Sequence, residues 1–418
     1  MKSSMPIHVL AKPSGAACNL DCAYCFFLSK SQLYPGAPAM MSDKVVEEYI
    51  RQLCNSNQKS VTLSWQGGEP TLVGLDFYRR AVSFAAKYRR PGQTIQHTFQ
   101  TNGLLLDDAW CTFFKEHHFL VGLSIDGPQS MHDAYRVDRN GVGSFKQVMH
   151  ALSLLRKHRI DFNLLCSVHA ANVDHPAAVY HFLRDELQAQ YIQFIPIVER
   201  VNADQLHLAN RGWKNDALQP RPLYTQSGDQ VTERSVDADR YGRFLIAVYD
   251  EWVRNDVGAV FVQTFDVALG SWLGQHNLCI FSPTCGNAVV LEKKGDLYSC
   301  DHYVEPDYRL GSICETEIST LAASKKQRRF GLQKSDGLPN YCRQCDVLFA
   351  CHGECPRNRF RTTPTGEANL NYLCAGYQAF FRHIRPTMDC MAALLRQNRY
   401  ADEIMQLLAP KTKHNDPL

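Results

Sequence analysis

The sequence predicts an α/β fold built on parallel strands and followed by a smaller cysteine-rich region. Three observations carry this. Over the first half of the 418-residue chain, six strand-like runs alternate with helix-like runs, and strands separated by helices pair in parallel through right-handed crossovers. Polar or glycine-rich segments stand at the C-terminal ends of those strands, where α/β barrels and open α/β sheets carry their sites. Of the sixteen cysteines, three gather near the N-terminus and ten lie from Cys279 onward, eight of them making two sets of four.

The first strand spans 7–11 and leads into a cysteine loop. A helix over 43–54 follows, with Ser42 as N-cap because its hydroxyl can accept from an orphan N–H of the first turn. The strand at 61–65 ends in Gln66-Gly67-Gly68-Glu69-Pro70 and precedes a helix over 76–88. The strand at 95–100 ends in Thr101-Asn102-Gly103 and precedes a helix over 107–117. The strand at 120–125 ends in Asp126-Gly127-Pro128. A helix over 144–158, a strand at 162–168, a helix over 177–187 and a strand at 191–196 complete the alternation. From 199 to 237 the periodicity fades into a polar segment, read as a long excursion capping the strands rather than a domain. A helix over 238–254 closes the first half. Residues 288–299 read as a hairpin turning at Lys293-Lys294-Gly295-Asp296. After Cys374, Phe380, Phe381, Ile384, Met388, Met391, Leu394 and Leu395 follow helical spacing broken by Pro386, which predicts terminal helices packed back on the core. The expected divisions are 1–236 for the strand–helix domain, 237–278 for a connecting helical segment, 279–376 for the cysteine-rich domain and 377–418 for a C-terminal helical segment.

Composition narrows the function. Hydrophobic content of 45% with 21% charged residues is ordinary for a globular protein, and no apolar run reaches the ~20 residues that span a membrane. Met1 to Pro6 lack the apolar core and cleavage site of a secretory signal, so the expected location is the cytoplasm. A net charge of +3, with Lys and Arg dispersed, gives no footprint for nucleic acid. Cysteines kept reduced in the cytosol point to metal ligation rather than a disulfide framework.

The spacing Cys18-x3-Cys22-x2-Cys25 supplies three thiolates, one short of the four that normally hold a four-iron cluster, so one iron is left open for a non-protein ligand. The alternatives are a zinc site completed by a distant His, or a disulfide loop. Gly67-Gly68-Glu69-Pro70 lets backbone approach a ligand while the carboxylate can accept from an ammonium; taken alone it is also an ordinary strand-to-helix turn. Downstream, Cys279, Cys285, Cys300, Cys342, Cys345, Cys351, Cys355 and Cys374 make two sets of four, with two zinc ribbons as the alternative. Cys54, Cys111, Cys166, Cys314 and Cys390 stand singly and read as buried small hydrophobes.

The cysteine loop, with Tyr24 before its last cysteine, resembles the signature of the radical S-adenosylmethionine (radical SAM) enzymes, and the downstream cysteines resemble the SPASM domain. Lys12-Pro13-Ser14-Gly15, Cys25-Phe26-Phe27-Leu28, Trp65 to Pro70, Gln100 to Gly103, Ser124 to Pro128, Cys300-Asp301-His302 and Cys351 to Pro356 together resemble the anaerobic sulfatase-maturating enzymes. The resemblance implies a partial (β/α)6 TIM-like barrel followed by a small SPASM domain, with three [4Fe-4S] clusters and SAM as cofactors. It implies SAM contacts at Tyr24, Gly67, Gly68, Glu69, Asn102, Ser124, Arg136 and Val198, with Arg136 on the methionine carboxylate. It assigns Cys279, Cys285, Cys300 and Cys355 to one auxiliary cluster and Cys342, Cys345, Cys351 and Cys374 to the other. The implied reaction is oxidation of a Cys or Ser in an unfolded sulfatase, within C-x-P-x-R or S-x-P-x-R, to Cα-formylglycine. An electron donor such as flavodoxin or ferredoxin would feed the clusters. Asp301 matches the family's proton acceptor; partial burial is expected to raise its pKa, and His302, its neighbour in a strand, is expected to face the opposite way. Another peptide maturase, forming thioether or carbon–carbon crosslinks, is the rival reading, and a non-catalytic iron–sulfur carrier is a second.

Overall fold

The computed structural model describes residues 7–213 and 222–409. The N-terminal six residues, residues 214–221 of the excursion and the last nine residues of the C-terminal segment lie outside the described residues. The predicted alternation is present in order: β1 (His8–Lys12), α1 (Asp43–Asn55), β2 (Ser60–Trp65), α2 (Leu75–Tyr88), β3 (Thr94–Thr101), α3 (Asp108–Glu116), β4 (Phe119–Ser124), α4 (Phe145–Lys157), β5 (Phe162–Val168), α5 (Pro176–His181) and β6 (Tyr191–Pro196). The Ser42 hydroxyl accepts from Val45 N at 3.4 Å, and Asp107 caps α3 by accepting from Trp110 N at 2.9 Å. Val45, Val46, Tyr49, Ile50 and Leu53 are buried, the one-sided spacing of a helix lying on a sheet.

After β6 come α6 (Ala238–Asn255), β7 (Phe261–Val262) and α7 (Gln263–Trp272), then β8 (Ala288–Glu292), β9 (Asp296–Tyr298) and β10 (Arg309–Ser312). All ten strands join one sheet in the order β10-β9-β8-β1-β2-β3-β4-β5-β6-β7. The run from β8 through β1 to β7 is parallel throughout, so two strands, one from each side, extend the six read from the sequence. The predicted hairpin of the cysteine-rich region therefore belongs to the barrel sheet, with Lys12 registered against Glu292. Behind the sheet, Trp65 meets Tyr49, Phe77 and Tyr78 edge-on at 5.7, 6.0 and 5.5 Å. Burying each such ring contributes roughly 1.5–3 kcal/mol, which fixes where the strand ends sit.

Two expectations are corrected. The helix from Cys374 to Arg396 runs unbroken through Pro386, because Pro386 is exposed while Phe380, Phe381, Ile384, Met388 and Met391 anchor the opposite face. Cys54, Cys111 and Cys166 are buried as expected, but Cys314 is exposed and Cys390 half-buried. The described residues of the excursion pack around a buried ion pair: Arg234 Nη2 lies 2.6 Å from Glu199 Oε2, and Trp213 donates to Glu199 Oε1 at 2.6 Å. Among the described residues no helix is long and apolar enough to cross a membrane.

Candidate functional site

The C-terminal ends of β1 to β5 converge on the cysteine loop. Asp21 N and Ala23 N donate to the carbonyls of Val137 and Tyr135 at 2.8 and 3.0 Å, so the loop runs alongside the segment that carries Arg136. Asn102, at the end of β3, donates to Asn19 Oδ1 at 2.7 Å and points the same amide at Cys18 Sγ, 3.7 Å away. Leu20 N also donates to Cys18 Sγ, at 3.4 Å. Burial pushes the Cys18 thiol up to about 12 even against these two donors. The Cys22 and Cys25 thiols are its electrostatic neighbours, and Arg136 is the cation acting most strongly on Cys22.

The Gly67-Gly68-Glu69 turn packs directly on this loop. Gly68 N donates to Gly15 O at 2.7 Å and Glu69 N to Ala17 O at 2.8 Å. A Cβ on Gly68 would stand 2.1 Å from Ala17 O, a backbone atom that cannot swing aside, so glycine is required. Glu69 is fully buried. Its Oε1 accepts from Thr71 N, Thr71 Oγ1 and Thr101 Oγ1 at 3.0, 2.7 and 2.8 Å, whereas Oε2 accepts from Asn102 N alone, at 2.8 Å. A carboxylate has about four acceptor positions, so Oε2 is the oxygen with capacity left for an ammonium.

Arg136 forks onto Asp126, Nε to Oδ2 at 2.8 Å and Nη2 to Oδ1 at 3.1 Å. Tyr24 donates to the same Oδ2 at 2.5 Å, and Ser167 N to Oδ1 at 2.8 Å. Burial alone would push Asp126 up, but Arg136 and His169 hold it well below the usual carboxylate range. Tyr24 thus ties the cysteine loop to β4 and β5. Ser124 accepts from Gln100 Nε2 at 3.2 Å inside the barrel, and Val198 is buried just beyond β6.

The eight downstream cysteines sort into two neighbourhoods. Cys300 feels Cys355 and Cys279, Cys279 feels Cys285, and Cys355 feels Cys285. Separately, Cys351 feels Cys374 and Cys342, and Cys374 feels Cys342 and Cys345; these four line one small cavity. No thiol's leading partners cross between the sets. Lys334 donates from Nζ to the carbonyls of Cys279 and Ile280 at 2.6 and 2.7 Å, placing a buried cation beside the first set, and Arg359 lies near the second. Among the described residues no three His, Cys, Asp or Glu side chains converge as a single-ion site would require. In a four-iron cluster each thiolate binds a different iron outside the cube, so the thiols stand farther apart than around a single ion, and nearby positive charge offsets that of the cluster. The donor sets fit such clusters better than the zinc alternative.

A cavity of about 510 Å³ runs through the barrel interior past Gln66 and Gln100 and reaches Asp301, His302, Cys355 and Arg357. Two expectations about Asp301 change here. Residues 301–303 form a 3-10 turn rather than a strand, so Asp301 and His302 line the same cavity instead of facing apart. Burial would push the Asp301 carboxyl up, but Lys12, His302 and Arg357 together hold it below its ordinary value. Lys12 Nζ lies 2.6 Å from Asp301 Oδ1 and 3.7 Å above the Phe27 ring. Sequence reasoning gave Lys12 no role, although its place at the C-terminal end of β1 is where such folds carry chemistry. It also missed Arg357, whose signal lay only in its nearness to Cys355.

Residues 13–183 match the Radical SAM superfamily and residues 279–346 the SPASM iron–sulfur cluster-binding domain. The chain is 43% identical over 408 residues to a serine-type anaerobic sulfatase-maturating enzyme of Bacteroides thetaiotaomicron, covering 96% of this chain and 95% of that one. It is 31% identical to a cysteine-type enzyme of Clostridium novyi, over 90% and 94% of the two chains. Among solved structures, native anSMEcpe with bound AdoMet superposes with a TM-score of 0.78 at 29% identity, over 93% of this chain and 100% of that one. Signature, sheet and overall likeness agree, and the chain belongs to the anaerobic sulfatase-maturating enzymes.

Proposed function

We propose that this protein oxidises a serine or cysteine of a sulfatase polypeptide to Cα-formylglycine, with SAM and three [4Fe-4S] clusters held at the three cysteine sets described above. The observation that carries this reading is the single cavity joining the barrel end at Gln66 to Asp301 and Cys355. When bound, the open-iron cluster with SAM supplies a 5′-deoxyadenosyl radical that takes hydrogen from the substrate Cβ, and the auxiliary clusters supply a sink for the remaining electron.

Cys18, Cys22 and Cys25 hold the first cluster, while Gly67, Gly68, Glu69 and Asn102 shape the bed for SAM and Glu69 Oε2 receives its ammonium. Tyr24, Ser124 and Val198 flank that bed. Arg136, oriented by Asp126, takes the methionine carboxylate, and the same pair fixes Tyr24 and the loop. Asp301 takes the proton from the substrate O–H or S–H, and Lys12 keeps it in the ionised form that can accept.

The finer partners are a C-x-P-x-R or S-x-P-x-R segment and a flavodoxin- or ferredoxin-like donor, and the setting is the cytoplasm. Greater identity to the serine-type relative than to the cysteine-type one supports serine as the preferred residue. The test is anaerobic turnover of the reduced, reconstituted protein on both peptides. An aldehyde on the serine peptide at the higher kcat/KM is expected; 5′-deoxyadenosine formation with no aldehyde on either peptide would overturn the reading.

A further inference from the structure

Arg357 stands in the wall of the reaction cavity with no contact ion pair, although its charge reaches Asp301 and Glu354. Among the described residues no carboxylate lies within 4.0 Å of its guanidinium, and its Nε is buried with no hydrogen-bond acceptor. What holds it is neutral: Nη1 donates to Gln226 Oε1 at 2.8 Å and contacts His302 Nδ1 at 3.1 Å, and the guanidinium lies 5.9 Å from the Phe26 ring centre. The same cavity contains an orphaned acceptor, the buried Asn163 Oδ1. Amides recur along its wall, Gln66, Gln100 and Gln193 among them, beside the hydroxyls of Ser64 and Thr98 and the carboxyls of Asp301 and Glu354.

An unpaired buried donor and an unpaired buried acceptor are each costly unless something fills them. A cavity whose wall residues hold one spare N–H, on Arg357, and one spare amide C=O, on Asn163, is complementary to an extended peptide main chain, which offers both partners whatever its side chains. We propose that Arg357 is a substrate-binding residue whose Nε–H takes a main-chain carbonyl oxygen of the peptide beside the residue being oxidised. The inference rests on the peptide substrate proposed above. Gln226 holds Arg357 from the excursion, and Arg200 reaches the Arg357 carbonyl at 3.4 Å. Arg200 and Gln226 thereby act as a buttress for substrate binding.

The test measures anaerobic binding of a fluorescent serine peptide to the reconstituted holoenzyme with SAM present, alongside aldehyde formation by the wild type. Arg357→Gln should weaken peptide binding about tenfold, the scale of one hydrogen bond to a charged group, with KM rising more than kcat falls. Iron content and SAM affinity should be unchanged, and Arg357→Lys should retain part of the binding. Gln226→Ala, which removes only the buttress, should cost less than Arg357→Gln. A series of peptides with single thioamides in place of carbonyls should show one position that weakens wild-type binding but not binding to Arg357→Gln. Equal thioamide penalties in both proteins, or unaltered peptide affinity in Arg357→Gln, would overturn the inference. If Arg357→Gln loses iron, the thioamide series on Arg357→Lys decides in its place. Absence of aldehyde from the wild type would instead count against the function itself.

Discussion

Lys12, the last residue of β1, holds its Nζ 2.6 Å from Asp301 Oδ1 across the boundary between barrel and cysteine-rich region. The pair makes Asp301 a carboxylate that is charged in the resting protein, the form a proton acceptor needs. Its lowered pKa also makes it a weaker base than burial alone would give. Asp301→Asn should keep full iron content and still form 5′-deoxyadenosine, yet lose formylglycine formation by about 10²-fold or more, the usual scale for a general base. Both Asp301 and His302 face the cavity, so His302→Gln is the informative control. Near wild-type product from the Asp301 variant, with loss in the His302 variant, would transfer the role to His302.

Removing the cation tests the other half of the pair. Lys12→Met would leave Asp301 buried without its closest partner, and breaking a buried pair in this way costs about 3–5 kcal/mol. The variant should therefore show a lower urea midpoint and also less aldehyde per SAM cleaved, since Lys12 is the largest of the charges that hold the Asp301 carboxyl ionised. Lys12→Arg keeps the charge and should recover most of the stability. A Lys12→Met protein with wild-type coupling of SAM cleavage to product would show that the ion pair is structural only.

Glu292, registered against Lys12 on the neighbouring strand, is 7% exposed and raised to about 7 by burial, an effect that Lys12 only partly offsets. A carboxyl raised in the folded state binds a proton that the unfolded chain has already released. Its contribution to stability is complete below its unfolded value and is lost as pH rises through about 7. Each pKa unit is worth about 1.4 kcal/mol, so stability relative to Glu292→Gln should fall by about 3 kcal/mol between about pH 5 and about pH 8. Urea midpoints of the two proteins at both pH values check this. A constant difference would show that Glu292 does not titrate in that window.

Strand and helix identities were legible because hydrophobic period and end signals agreed: 162–168 and 191–196 coincide with β5 and β6, and Ser42 caps the helix assigned to it. The two further parallel strands were not legible as such. Phe261–Val262 is too short to show a period, and nothing local in Ala288–Glu292 reveals that its partner is β1. Pro386 misled for a related reason, since tertiary packing of one helix face outweighed a local breaker on the other. Residue types at the site were readable from spacing. Their partners were not: that Arg136 meets Asp126 and that Asp301 meets Lys12 are facts of the folded chain.

The division of the eight downstream cysteines yields the sharpest remaining test, because spacing along the chain would pair Cys351 with Cys355, whereas the fold separates them. Cys355 lies with Cys300, Cys279 and Cys285, and Cys351 with Cys374, Cys342 and Cys345. Losing one thiolate of four should release or degrade that cluster while leaving the other, so Cys279→Ala should lose about a third of the iron. Adding Cys355→Ala to it should remove little more, since both residues serve one cluster, and the double variant should resemble either single one. Adding Cys351→Ala instead should remove a further third, since it opens the second cluster. Interacting sites fail to add and independent ones add, which is the logic of a double-mutant cycle applied to iron content. Iron assay and the electron paramagnetic resonance signals of the reduced variants give the readout. Additive loss for Cys279 with Cys355, and no further loss for Cys279 with Cys351, would mean that the two sets exchange a ligand and that the grouping read from the fold is wrong.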